Sequence, residues 1–83
     1  MDNQNLIDMA NRIGEFFDSM PDHEEALAGI ADHIRRFWEP RMRRALLDAL
    51  DEPDANGIAM AGIVKEALLK HREQLTPAMP STV

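Results

Sequence analysis

The chain has 83 residues, no Cys and a formal net charge of −6, which bounds it to one small domain without disulfides or thiolate metal sites. A core this small leans on a partner or on self-association. The acidic balance disfavours nucleic acid and anionic membranes as partners, and no apolar run nears the roughly 18 residues that span a bilayer.

Helical spacing predicts four segments and no strand. In the first, residues 5–20, Leu6, Met9, Ala10, Ile13, Phe16, Phe17 and Met20 recur every three or four positions and so share a face. Asp2 or Asn3 is placed to cap it, and Asp8 and Arg12 form an i,i+4 pair. Pro21 ends it, because the residue before a proline is pushed out of helical geometry. The second helix begins at Asp22, with Glu25 three residues on in a capping-box pattern. Its stripe is Leu27, Ile30, Ala31, Ile34 and Trp38, with Phe37 at the edge, and Asp32 precedes Arg36 by four.

Glu39-Pro40 breaks that run, and Pro40 suits the first position of a third, short helix, residues 40–50. There Met42, Ala45, Leu46, Ala49 and Leu50 are expected to face inward, with Arg43 flanking them beside Leu47. Residues 51–57 are dense in turn formers and read as a loop. A fourth helix is expected over residues 59–75, with Met60, Ile63, Val64, Ala67, Leu68, His71 and Leu75 as its stripe. The fold class is therefore all-α, a small bundle of about four helices. Residues 1–75 form a single helical domain and residues 76–83, with two prolines, a frayed tail. The first five residues carry no basic stretch and no apolar core, so no signal peptide is expected, and the setting reads as the cytoplasm.

Catalysis finds little to stand on. Ser19 and Ser81 lie in no nucleophile motif, the four glycines are scattered, and the carboxylates gather at helix starts and in the loop. His23, His33 and His71 fall in no metal-binding spacing. His71 is expected to be a hydrogen-bonded helix residue facing a neighbour or a partner. Of the six methionines, Met9, Met20, Met42 and Met60 lie on helix stripes and read chiefly as gap-fillers of the core, with an adaptable partner surface as the minority reading.

The segment from Ile34 to Arg44 stands apart. It holds the only Trp and five of the nine basic residues around a proline. Trp38 lies on the core stripe. The functional reading adds a contact surface made of Arg35, Arg36, Phe37, Trp38, Pro40, Arg41, Met42, Arg43 and Arg44. Its arginines would grip partner carboxylates in two-point contacts, and Glu39 would relieve their crowding through Arg43. A rival reading is a small homodimeric helical module with a regulatory or DNA-binding role. The net charge counts against it, as does the absence of Gln and Asn from residues 34–50.

The run Met9-Ala10-Asn11-Arg12-Ile13-Gly14-Glu15-Phe16-Phe17, followed by Ile30-Ala31-Asp32-His33-Ile34-Arg35-Arg36-Phe37-Trp38-Glu39-Pro40-Arg41-Met42-Arg43, resembles the delta subunit of cytoplasmic NAD-dependent formate dehydrogenase. The likeness loosens after Leu50. There the last helix starts Ile58-Ala59-Met60-Ala61-Gly62, without the Ser-Pro or similar cap common in that family. The resemblance implies a non-catalytic part that binds the large catalytic subunit and supports quaternary structure, with metal-cofactor insertion as a further task. It implies no cofactor in this chain. The companion subunits would carry a molybdenum or tungsten cofactor, iron–sulfur clusters and flavin. The contact motif carried over is Arg35, Phe37, Trp38, Pro40, Arg41, Met42 and Arg43. A homodimer remains open for the chain alone.

Overall fold

The computed structural model describes residues 3–51 and 60–77. Every regular element among them is a helix: α1 (Asn3–Asp18), α2 (His23–Phe37), α3 (Pro40–Asp51), α4 (Gly62–Lys70) and the single turn α5 (Arg72–Leu75). The all-α expectation holds. The capping role given to Asp2 and Asn3, most of the 51–57 loop, the stretch to Ala59 and the tail beyond Pro77 lie outside the described residues or side chains.

α1 ends two residues before the predicted Met20. Pro21 denies Met20 helical geometry, and the Ser19 hydroxyl donates to the Phe16 carbonyl at 2.9 Å, closing the last turn. Its inward face is Leu6, Ile7 and Ala10, with Gly14 also buried, whereas Met9 and Phe16 are exposed. The expected stripe had Leu6 and Ala10 but missed Ile7. Gly14 lies on the same side of the helix as Ile7 and has no side chain to mark that part of the face. A Cβ there would lie 2.7 Å from Val64 Cγ2, so the missing side chain is what lets α4 approach α1.

α2 starts where Asp22 places it. The carboxylate accepts from the N–H groups of Glu24 at 3.0 Å and Glu25 at 3.3 Å. Leu27, Ile30, Ala31, Ile34 and Trp38 are all buried, as expected, while Phe37 is not an edge residue but 72% exposed. α3 opens on Pro40 and buries Leu46, Leu47 and Ala49, leaving Met42, Ala45 and Leu50 half-buried against the core.

α2 packs antiparallel to its two main neighbours. Phe17 near the end of α1 meets Gly29 of α2. The first turn of α2 meets the later part of α4 through His23–Glu66 at 3.0 Å and the Glu24–Lys70 pair. The predicted fourth helix is two pieces. α4 begins at Gly62, three residues late, because nothing in Met60-Ala61 caps it; Asn11 Oδ1 of α1 accepts the Ala61 N–H at 2.8 Å instead. His71 then leaves helical geometry at φ −111°, ψ 24°. That break turns α5 so that Leu75 is buried and Arg72 reaches Asp51 at the end of α3. Pro77, placed in the tail by sequence, is buried.

Candidate partner-contact surfaces

The hinge between α2 and α3 separates the residues that sequence grouped together. Trp38 is 6% exposed, its backbone N–H returning to the Ile34 carbonyl at 2.9 Å. It belongs to this chain's own core and supports any surface only through packing. Arg35 and Arg36 are exposed but held by one carboxylate. Arg36 Nε lies 3.0 Å from Asp32 Oδ2 and Arg35 Nη2 lies 3.3 Å from Asp32 Oδ1. Desolvation pushes the Asp32 carboxyl upward, but the hydrogen bonds and charges of Arg36 and Arg35 together carry it below its ordinary value.

Pro40, Arg41 and Arg44 are exposed in the first turns of α3, and Arg41 and Arg44 share a helix face. Neither arginine has an ion-pair partner among the described residues. Met42 packs against the core. Arg43 is half-buried, and its Nε is enclosed without a hydrogen-bond partner among the described residues. The expected Glu39–Arg43 side-chain pair does not form; these residues are joined through the backbone, Arg43 N–H to the Glu39 carbonyl at 3.0 Å. Among the described residues, the exposed hinge cations without an ion-pair partner are thus Arg41 and Arg44.

A second surface was not singled out by sequence. Arg12, Ile13, Phe16 and Phe17 of α1 and His33 of α2 line a groove of about 340 Å³. Phe16 is 73% exposed, and its ring stands edge-on to Phe17 with centroids 5.1 Å apart. On the α2 side the His33 ring lies 4.9 Å from that of Phe37. One signal for this groove was legible: Phe16 and Phe17 are neighbours about 100° apart on one helix, so two large rings there widen the apolar face of α1.

On another side Ala28, Asp32, Arg35, His71 and Gln74 line a more polar depression. The expected hydrogen bond of the His71 side chain is not made at Nε2, which is enclosed without a partner among the described residues. Among the described residues, no group of three or more His, Asp or Glu is arranged to hold a metal ion, and no helix is long and apolar enough to cross a membrane.

Comparison with known families adds one finding. A family model described as NADH-dependent formate dehydrogenase delta subunit FdsD matches residues 5–68, which is more than half of the chain and takes in both surfaces. No curated protein and no solved structure matches significantly.

Proposed function

Because this chain belongs to the delta-subunit family of NADH-dependent formate dehydrogenases, we propose that it is a non-catalytic accessory subunit of such a complex. It binds the large catalytic subunit and supports assembly, with insertion of the metal cofactor into that subunit as a second task, in the cytoplasm. The family match over residues 5–68 is the observation that carries this reading.

Three physical features support it. The chain has no Cys to anchor an iron–sulfur cluster, and the described residues offer no metal-binding cluster. Iron–sulfur clusters and metal are therefore assigned to companion subunits in this reading. A core of this size gains from burial against a neighbour. Arg41 and Arg44 present two guanidinium forks with no carboxylate of this chain on them among the described residues, the geometry that grips a partner's carboxylates.

The test is to produce the formate dehydrogenase subunits with and without this chain. Omission is expected to lower the yield of intact complex several-fold and leave formate-dependent NAD reduction per assembled complex nearly unchanged. Arg41→Glu with Arg44→Glu is expected to keep the helix content and reproduce that loss of assembly. A full yield of active complex made without the chain would end this reading.

A further inference from the structure

The groove between α1 and α2 is built before anything enters it. Phe17 can lie along α2 because residue 29 is glycine; a Cβ there would stand 2.5 Å from Phe17 Cε1. Phe17 in turn stands edge-on to Phe16, so the exposed ring packs against an aromatic neighbour. His33 and Phe37 extend the aromatic surface along α2, one helical turn apart. Two of the chain's three phenylalanines are thus more than two-thirds exposed, Phe16 in the lining of the groove and Phe37 beyond it against His33. Rings that already pack against a neighbour lose less freedom on binding, which is why such residues anchor interfaces.

The charge around the groove narrows what it holds. The sequence has fifteen Asp and Glu, yet none lines the groove; its ionisable residues are Arg12 and His33. Among the described residues Arg12 is tied only to Asp8, an exposed i,i+4 pair at 3.3 Å, and such a pair gives way at little cost. An acidic molecule has therefore kept an apolar surface with a basic edge. A second copy is the poorer match, because a two-fold contact sets this patch against the same patch, whose lining offers Arg12 no carboxylate.

We propose that this groove receives an apolar segment of a companion subunit carrying a carboxylate beside its anchoring side chain. Phe16 and Phe37 flank the anchor and Arg12 meets the acid. The inference rests on the accessory-subunit reading and adds the site and the chemistry of what enters it.

The experiment uses the complex assembled from co-produced subunits, with a tag on a subunit other than this chain. Phe16→Ser with Phe37→Ser alters only exposed rings, so helix content should be retained. The retained fraction should fall by an amount corresponding to about tenfold or more in Kd. Arg12→Gln should weaken binding less and make it less sensitive to salt. Independently of any variant, amide exchange in residues 12–17 and 33–37 of the natural chain should slow when the complex forms. Unchanged retention of the double variant, or protection confined to other segments, overturns the groove while leaving the accessory role standing. If the natural chain fails to join the complex at all, the role itself falls. A natural chain that is dimeric alone, and monomeric as the double variant, would assign the groove to a second copy and overturn the proposed occupant.

Discussion

Helices α2 and α4 pack on each other across the core, and they begin by different means. α2 is capped by its own neighbour in sequence, Asp22, with Glu24 and Glu25 in the first turn where the helix dipole favours negative charge. α4 has no side-chain cap of its own. Its leading N–H is taken by Asn11, fifty positions back on α1, and its first turn fits because Gly14 yields room to Ile63 and Val64. One helix is specified locally. The other is specified by the surface it lands on, so it exists only as well as α1 is in place.

The largest expected effect tests the locally specified helix at its far end. Trp38 closes α2 and is buried between it and the remaining core. Trp38→Ala should cost about 3–5 kcal/mol, enough to unfold most of the isolated chain, read as a lower urea midpoint by circular dichroism. A shift under about 1 kcal/mol would mean that the end of α2 is not held by this side chain.

Gly14→Ala probes the helix specified at a distance, and two terms oppose each other. Alanine in a helix interior gains about 1 kcal/mol over glycine. Against this, the new methyl would lie 2.7 Å from Val64 Cγ2. Val64 is fully buried and β-branched, so it has little freedom to retreat. Overpacking of this kind costs about 1–3 kcal/mol, and the net should be destabilising by roughly 1–2 kcal/mol. A stabilised Gly14→Ala would show that α4 slides on α1 without penalty and would erase the distinction between the two helices.

The two caps give the finer comparison. Asp22→Ala and Asn11→Ala should each cost about 0.5–2 kcal/mol. Their footprints should differ. Loss of Asp22 should speed amide exchange at Glu24 and Glu25, whereas loss of Asn11 should speed it at Ala61, with α1 itself unaffected. Faster exchange across α1 in Asn11→Ala would mean that Asn11 acts on its own helix and not as a cap for α4.

The same contrast explains what could be read from the chain. The start of α2, its stripe and the opening of α3 at Pro40 were legible because cap, period and proline sit side by side in sequence. The α4 start was not, because Asn11 and Gly14, which determine it, lie on α1, and no breaker residue beside His71 marks the turn there. At the surfaces the limit was different. Composition drew notice to residues 34–44, but whether an arginine is free depends on where the nearest carboxylate falls. Asp32 takes Arg35 and Arg36 and leaves Arg41 and Arg44. The aromatic groove is hard to read from sequence because its residues are spread over α1 and α2, and helical spacing alone points Phe16 inward.

The smallest effect concerns the join that carries α5. Arg72 holds Asp51 with two parallel bonds, Nη1 to Oδ1 at 2.9 Å and Nη2 to Oδ2 at 2.6 Å. The hydrogen bond from Arg72 is the main cause that lowers the Asp51 carboxyl below its ordinary value; partial desolvation opposes it and the charge of Arg72 adds to it. In the unfolded chain that carboxyl is an ordinary one and takes up its proton first as the pH falls. The contribution is therefore complete above the ordinary aspartate pKa and is lost as the pH falls through the lower folded value. The pair is solvent-exposed, so the effect is slight and screened by salt. Thermal melts from about pH 6 down to about pH 2 should show the natural chain slightly above Asp51→Asn at the upper end and the two converging in acid. Arg72→Gln should behave like Asp51→Asn. Curves that stay parallel across this range would mean that the turn at His71, and not the ion pair, holds α5 against α3.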